Sequence, residues 1–277
     1  MSDLPEKLTV LRKEGTSSTV TLVRAADPGA PTVLVVPAMG MRAGYYGPLL
    51  SALAEAGVTA AVMELRGHEE SGGREPGWRY DFGYADLVED LGAALDALEE
   101  AAPGPAPYLL GHSLGGQVST AYAALHADRL SGLVYVAASS PYWRYWRPGF
   151  LPVSQAMGLL AQVVGHFPGQ QVKFAGREAR TLMRDWARFA RTGRLRFGRP
   201  AIDYGVPLGA LRLPALAVSI EGDTLGVPAA VDGLLALMPR VEATRVHVEE
   251  PGLDHFRWAR RPDAVVRTVA DWLNQVA

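Results

Sequence analysis

The chain of 277 residues is long enough for one large α/β domain or two small ones. Its hydrophobic fraction of 48% and charged fraction of 20% are typical of a soluble globular enzyme, and a net charge of −2 gives no sign of nucleic-acid binding. Because the chain has no cysteine, the composition excludes disulfides, thiolate metal sites and a cysteine nucleophile.

The amino-terminal segment and the apolar runs favour a cytoplasmic protein. Residues 1–15 alternate charged and apolar side chains and lack the apolar core of a secretory signal peptide. No uninterrupted apolar run reaches the roughly 18 residues that a membrane span requires. We therefore expect a soluble cytoplasmic protein without a membrane span, and the sequence gives no indication of its oligomeric state.

Short runs rich in β-branched residues alternate with amphipathic helical segments along most of the chain. The segments 8–13 and 17–24 alternate in the β manner around Gly15 and predict a hairpin of edge strands. The run Thr32–Val36 predicts a fully buried strand. Strands that alternate with helices imply a parallel sheet covered on both faces. The other predicted strands are 58–65, 107–112, 132–137, 216–220 and 245–248, and the predicted helices are 45–56, 84–98, 115–125, one between the last two strands, and 262–276.

The segment 140–213 breaks this alternation. It is rich in arginine and aromatic residues and predicts helices and loops. Since it lies between two core strands, we interpret it as an insertion over one end of the sheet, and open α/β sheets bind ligands at the carboxyl ends of their strands. We therefore predict a core domain of residues 1–139 and 214–277 and a substrate-shaping helical cap of residues 140–213. A packed second lobe without a ligand role is the alternative.

The segment Gly111-His112-Ser113-Leu114-Gly115 is a G-x-S-x-G motif between a predicted strand and a predicted helix. A nucleophilic serine needs a turn so sharp that its hydroxyl projects above the sheet, and glycines two residues before and after it remove side chains that would collide. By chance alone, 30 glycines in this chain would produce about 0.14 such motifs, so the flanking strand and helix carry the argument. They predict Ser113 as the nucleophile.

A serine hydroxyl requires a base to take its proton, and in this architecture the chain order is serine, acid, histidine. Of the six histidines, only His247 and His255 follow the acid candidates. His247 falls inside a predicted strand, where it would be packed or surface-facing. His255 lies in a loop after the last strand and before the last helix, so it can present its ring to the site. We predict His255 as the base.

The acid is predicted at the end of the strand 216–220. Asp223 follows a glycine turn and precedes a proline that starts a helix, so its side chain can reach the imidazole from the next strand end. Glu221 is the fallback, and an exposed turn aspartate is the alternative interpretation of Asp223. Asp254 adjoins His255, and neighbours in a loop rarely face each other. No acid directly follows the strand 132–137.

The developing oxyanion needs two convergent N–H donors. Leu114, the residue after the nucleophile, would supply one. The loop after Thr32–Val36 would supply the other, and because Pro37 and Ala38 turn the chain there, we predict Met39 as that donor. A simple glycine turn is the alternative interpretation of this loop.

Taken together, these residues resemble the α/β-hydrolase superfamily, and more narrowly its bacterial serine-aminopeptidase-like and predicted-hydrolase branch. The resemblance implies an eight-stranded, mostly parallel sheet with a helical cap after the sixth strand, hydrolysis through an acyl-enzyme, and the roles given above to Ser113, Asp223, His255, Met39 and Leu114. The chain departs from many relatives at Pro37-Ala38, where they carry His-Gly, and at Glu64, where they carry Asp. The segments that carry the resemblance cover about four-fifths of the chain: LVVPAMGMRAGYY, ELRGHEESG, YDFGYADLVEDL, PYLLGHSLGGQVS, VAASSPYWRYW and GLDHFRW.

The expected function is hydrolysis of a carboxylic ester or thioester of a small to medium acyl substrate, with no metal or organic cofactor and no nucleic-acid partner. Two other classes remain open: an acyltransferase, cyclase or lyase that uses the same triad, and a non-catalytic ligand-binding protein on the same fold. Epoxide hydrolysis and dehalogenation are disfavoured, because in this fold they need an aspartate in place of Ser113.

Overall fold

The computed structural model describes residues 5–70, 73–172 and 174–276. The strands follow the predicted order closely, since the apolar runs that lack polar alternation become the strands buried on both faces. In chain order the strands are β1 (Glu6–Leu11), β2 (Ser17–Val23), β3 (Thr32–Val36), β4 (Thr59–Met63), β5 (Tyr108–His112), β6 (Gly132–Val136), β7 (His166–Pro168), β8 (Arg177–Ala179), β9 (Arg196–Phe197), β10 (Ile202–Asp203), β11 (Pro214–Ile220) and β12 (Glu242–Val248).

The helices connect successive strands and begin within a few residues of their predicted starts. Proline stands at the first or second position of two of them, where its missing N–H has no intrahelical partner to lose. The helices are α1 (Gly47–Glu55), α2 (Tyr84–Ala101), α3 (Leu114–Leu125), α4 (Phe150–Val164), α5 (Arg180–Thr192), α6 (Gly205–Ala210), α7 (Pro228–Leu235) and α8 (Asp263–Val276).

Eight strands form one sheet in the order β1-β2-β4-β3-β5-β6-β11-β12. The neighbours from β4 to β12 pair in parallel, and only β1 with β2 and β2 with β4 pair antiparallel. The chain thus has the eight-stranded, mostly parallel α/β sheet that was expected. The carboxyl ends of β3, β5, β11 and β12 meet at one edge of this sheet, and the loops that leave them carry the predicted site residues.

Two apolar layers cover the two faces of the sheet. Val33 and Val35 of β3 pack with α1 and α8, whereas Leu34 and Val36 of the same strand pack with α2 and α3. The alternation of neighbouring side chains between the faces explains why a central strand must be apolar at every position. A rigid sheet packed on both sides fixes the strand ends on which the site is built.

The segment 140–213 lies between β6 and β11 and contains α4, α5 and α6. It also contains two short antiparallel hairpins, β7 with β8 and β9 with β10, which the sequence did not predict because each strand has only two or three residues. We call residues 140–213 the cap segment; the exact division of the chain at residues 139 and 214 stays a prediction. No helix in the described part of the chain is long and apolar enough to cross a membrane.

Candidate active site

Ser113 lies at the junction of β5 and α3 in a strained backbone conformation, with φ 52° and ψ −115°. A non-glycine residue at positive φ costs on the order of 1–3 kcal/mol, and such strain concentrates at functional sites. The flanking glycines make the turn feasible. A Cβ at Gly111 would collide with the backbone of Gly116, and one at Gly115 would collide with the carbonyl group of Val36. The turn therefore requires the glycines of the motif.

The backbone N–H groups of Met39 and Leu114, the two predicted oxyanion donors, form no hydrogen bond with the described residues. Leu114 is the first residue of α3, so its N–H is one of the unpaired donors of a helix start. In the loop after β3, the N–H of Ala38 is occupied, because it donates to Tyr46 Oη at 2.9 Å. The next N–H in that loop, that of Met39, is left without an acceptor. Ala38, Met39 and Ser113 line the same cavity.

His255 and Asp223 form a buried pair beside this cavity. His255 Nδ1 lies 2.9 Å from both carboxylate oxygens of Asp223, and each residue is only 5% exposed. Asp223 Oδ1 also accepts the N–H groups of Leu225 and Gly226, at 2.7 and 2.8 Å. These bonds compensate the carboxylate for the loss of water and hold its orientation. Nε2 is the ring nitrogen of His255 that remains for another partner.

Ser113 and His255 line one cavity, but no hydrogen bond joins Ser113 Oγ to His255 among the described contacts. In structures without substrate, hydrogen bonds of this kind are often long and tighten only when substrate binds. The loops after β5, β11 and β12 therefore bring Ser113, Asp223 and His255 together, and Met39 after β3 and Leu114 at the start of α3 complete the five predicted site residues.

The residues that the sequence analysis ranked below Asp223 and His255 do not line the cavity. Glu221 is exposed. Asp254 Oδ1 accepts the N–H groups of Phe256 and Arg257, so it caps its own loop. The ring of His247, on β12, contacts Ser219 at 2.9 Å rather than any residue of the cavity.

A network of hydrogen bonds that the sequence did not predict joins residues 37–40, called here the oxyanion loop after the role predicted for Met39, to the loop of His255. Tyr46 Oη accepts the N–H of Ala38 and lies 2.8 Å from His112 Nδ1. His112 Nε2 lies 2.7 Å from the carbonyl oxygen of His255, which also accepts Trp258 Nε1–H at 3.0 Å. A carbonyl oxygen only accepts, so Nε2 carries the proton of His112, and Tyr46 donates to Nδ1. Every donor in this network then has an acceptor.

This network of hydrogen bonds keeps the imidazole ring of His112 neutral. Burial, and secondly the positive charge that His255 can carry, hold the pKa of His112 well below its ordinary value. The same complete burial raises the pKa of Tyr46. A charged His112 carries a proton on Nδ1 and could no longer accept the hydroxyl proton of Tyr46, so the neutral ring is the one that fits. Because the three residues are separated by 66 and 143 positions in sequence, no local pattern could have linked them.

The cavity at Ser113 is small and mostly apolar, with a volume of about 100 Å³. Aromatic rings of the cap segment form much of its wall, and Trp146 stacks on Phe150 with a centroid distance of 4.7 Å. Two larger clefts of about 490 and 540 Å³ do not include Ser113 or His255. No group of three or more histidine, aspartate or glutamate residues in the described ranges is placed to hold a metal ion. The aromatic residues that line the cavity are Trp146, Phe150, Phe174, Trp186 and Phe256.

The cap segment contacts the oxyanion loop through backbone atoms. Gly40 has φ 77°, and a Cβ at this position would collide with Gly176 N and lie 2.9 Å from the carbonyl carbon of Ala175. Beside this contact, His68 Nε2 lies 3.1 Å from Glu178, whose Oε1 accepts the N–H of Gly176. The loop after β4 and the β7–β8 hairpin are thus joined by a pair of a largely buried histidine and a buried carboxylate.

Comparison with known proteins agrees with this architecture. A family model described as serine aminopeptidase, S33, matches residues 28–194, more than half of the chain. The chain belongs to this α/β-hydrolase family. It is 31% identical over 210 residues to a protein from Variovorax paradoxus (strain S110) described as putative carbamate hydrolase RutD, and the match covers 70% of this hydrolase and 74% of that relative.

Solved structures of other hydrolases share the fold over nearly the whole chain. The esterase EaEST from Exiguobacterium antarcticum has a TM-score of 0.68 at 13% identity, with 97% of this chain and 100% of that chain covered. The enol-lactonase from Burkholderia xenovorans LB400 has a TM-score of 0.63 at 18% identity, with 96% and 99% covered. At these identities the similarity establishes the fold of the hydrolase and not its substrate.

Proposed function

We propose that this hydrolase cleaves a carboxylic ester or thioester of a small, uncharged acyl group through an acyl-enzyme on Ser113. The observation that carries the proposal is the buried Asp223–His255 pair beside the cavity that Ser113 also lines. Nothing in a ligand-binding protein requires a serine on a strained turn to share a cavity with an oriented histidine. The family membership supports hydrolysis as the reaction class.

In the proposed mechanism, Ser113 Oγ attacks the carbonyl carbon while its proton passes to His255 Nε2. The oxyanion accepts hydrogen bonds from the N–H groups of Met39 and Leu114, which are worth several kcal/mol together. His255 then gives the proton to the leaving alcohol or thiol as the acyl–oxygen or acyl–sulfur bond breaks. Water attacks the acyl-enzyme with His255 again as base, which releases a carboxylic acid and restores Ser113. Asp223 holds the Nδ1–H tautomer and stabilises the imidazolium.

The volume of the cavity and the side chains that line it restrict the class of substrate. A volume of about 100 Å³ is well below the roughly 300–1,000 Å³ of sites that enclose drug-sized ligands. Among the lining residues that the structure describes, His255 alone has an ionisable side chain, and Gln117 and Ser139 add polar groups to that of Ser113. An α-ammonium group would find no carboxylate there, so we propose esters and thioesters over aminoacyl amides, despite the description of the family as aminopeptidases.

A second function is favoured by one feature, the aromatic wall. An apolar site that excludes water would let a substrate nucleophile intercept the acyl-enzyme, as in an acyltransferase or cyclase. Product analysis separates the two, because hydrolysis releases a free acid and transfer does not.

The test is intact-protein mass spectrometry after treatment with a fluorophosphonate, on the wild type and on Ser113→Ala, followed by turnover of p-nitrophenyl acetate, butyrate and benzoate, an acyl thioester and an aminoacyl p-nitroanilide. We expect one adduct on the wild type, none on the variant, and turnover of the esters well above that of the anilide. Equal labelling of both proteins would refute Ser113 as the nucleophile, and preferred cleavage of the anilide would refute the proposed substrate class.

A further inference from the structure

The outer face of α4 is apolar along its whole length. The helix has 15 residues and no charged side chain. Its inner side buries Ser154, Gly158 and Ala161 against α5, so the larger aliphatic residues face outward. Leu159 is 66% and Val163 69% exposed. Contiguous apolar surface of this kind on a soluble protein marks an interaction site. The α4 outer face consists of Pro152, Val153, Ala156, Leu159, Leu160, Val163 and Val164, all exposed.

Charge is distributed very unevenly between the cap segment and the rest of the chain. Residues 140–213 contain twelve basic and three acidic residues, a formal charge of +9, whereas the remaining residues contain 15 basic and 26 acidic, a charge of −11. Most of the cap arginines are not neutralised: eight of eleven form no ion pair with any carboxylate that the structure describes. These eight are Arg144, Arg147, Arg188, Arg191, Arg194, Arg196, Arg199 and Arg212.

Some of these arginines lie at the amino-terminal end of α4. Arg144 and Arg147 directly precede the helix. The helices α4 and α5 run antiparallel, since Gln155 Nε2 donates to Ala187 O and Gln162 Nε2 donates to Arg180 O. The carboxyl-terminal end of α5, with Arg191, therefore lies beside the start of α4. The outer face thus has a basic cluster at one end.

Exposed tryptophans lie near both ends of the same helix. Trp78 is 61% exposed, and its indole lies against Gly165, which ends α4. Trp143, also exposed, precedes the start of α4 and lies beneath the guanidinium of Arg144 at 5.4 Å. Tryptophan and arginine around an aliphatic stripe are the composition of helices that lie in the headgroup region of a bilayer.

We propose that the α4 outer face binds the surface of an anionic lipid bilayer, with the helix lying in the plane of the membrane. The seven exposed residues offer aliphatic surface and no side-chain hydrogen-bonding group, which suits lipid better than a partner that needs orientational specificity. The unpaired arginines match anionic headgroups, and each contributes about fivefold in affinity near such a surface. Phe150, the first residue of α4, lines the cavity of Ser113, so the bound protein holds that cavity near the lipid. The binding itself does not depend on the proposed hydrolase activity.

Sedimentation with sucrose-loaded vesicles tests the proposal, using phosphatidylcholine alone and phosphatidylcholine with about 30 mol% phosphatidylglycerol. We expect binding to the anionic vesicles that weakens as salt rises. Leu159→Glu with Val163→Glu should reduce this binding at least about tenfold, and Arg144→Glu with Arg147→Glu by a similar factor. The matched control is Leu11→Glu with Leu125→Glu, which adds the same two charges at exposed leucines of β1 and α3 (73% and 42% exposed) and should bind as the wild type does.

All the substituted side chains are exposed, so unchanged circular dichroism and melting temperature verify that the variants fold. Equal binding to neutral and anionic vesicles, or unchanged binding after substitution of Leu159 and Val163, overturns the proposal. A salt-sensitive dimer that the α4 substitutions dissociate, found together with an absence of vesicle binding, also overturns it and assigns the face to a second copy of this chain.

Discussion

Two regions of this hydrolase contain a histidine, buried or nearly so, beside a carboxylate at nearly the same distance. At the carboxyl ends of β11 and β12, His255 lies 2.9 Å from Asp223, and at the junction with the cap segment, His68 lies 3.1 Å from Glu178. The first pair adjoins the cavity that Ser113 lines. The second lies beside the backbone of Gly176, and no serine hydroxyl that the structure describes forms a hydrogen bond with it. A histidine–carboxylate distance alone therefore does not identify a catalytic pair; we expect one only where a candidate nucleophile and candidate oxyanion donors lie beside it.

The largest expected difference between the two histidine–carboxylate pairs is in kcat after each histidine is removed in turn. We expect His255→Ala to lower kcat for an activated ester by at least about 10³-fold, since the serine would lose its base. His68→Ala should leave kcat within about threefold, because His68 does not line the cavity. Steady-state kinetics at neutral pH on folded proteins measures both. A loss in His68→Ala as large as that in His255→Ala would show that the two pairs were assigned wrongly.

Amide substitution of the carboxylate in each pair is expected to give a second difference in kcat. Asp223→Asn preserves the shape of the side chain but cannot hold the Nδ1–H tautomer of His255 by a charge, and we expect kcat to fall about 10³- to 10⁴-fold. Glu178→Gln is the matched amide substitution in the second pair and should reduce kcat less than about threefold. Comparable KM values for wild type and Asp223→Asn would assign the loss to chemistry, whereas a loss confined to KM would contradict the orienting role.

A smaller effect is expected at the link between the oxyanion loop and His112. Tyr46→Phe removes the acceptor of the Ala38 N–H and the donor to His112 Nδ1, leaving both buried and unpaired. An unpaired buried group costs about 1–3 kcal/mol, so we expect a lower melting temperature, together with a kcat reduced about tenfold by the loosened Met39 loop. Tyr108→Phe, in a buried tyrosine at the start of β5, is the control. A stability loss with unchanged kcat would make Tyr46 purely structural.

The smallest predicted effect is a pH dependence of stability at the second pair. Burial disfavours the charged ring of His68, but the hydrogen bond and charge of Glu178, with help from Glu69, outweigh both burial and the nearby Arg42, so the pKa of His68 is raised. A raised pKa in the folded state stabilises the protein below the unfolded value of about 6.5, and this gain is lost as pH rises through the folded value. The melting temperature of the wild type should therefore exceed that of His68→Gln at about pH 6 and converge with it by about pH 9. A difference in melting temperature that stays constant over this pH range would contradict an ion pair between His68 and Glu178.

The two regions also differ in how far the sequence predicts them. The first depends on local signals: a run of β-branched residues, glycines at fixed spacing around Ser113, and a histidine in the last loop. These place Ser113, Asp223 and His255 at strand ends, and parallel strands bring such ends together. The second region joins residues 110 positions apart, and Glu178 belongs to a hairpin whose strands are too short to have a periodicity. The link from Tyr46 through His112 to the loop of His255 was missed for the same reason.

The backbone contact between Gly40 and Gly176 limits how cap segments can be exchanged among related hydrolases. The oxyanion loop and the cap meet there without side chains, so the cap is not a fully modular part that evolves independently of the catalytic core. In a chimera with a foreign cap, a Cβ at the position of Gly176 would lie 2.7 Å from the ring of His68 and 3.2 Å from Gly40 Cα, in the loop that holds Met39. Recombination that alters substrate range in this fold is therefore expected to succeed where the crossover points leave residues 169–176 with the core.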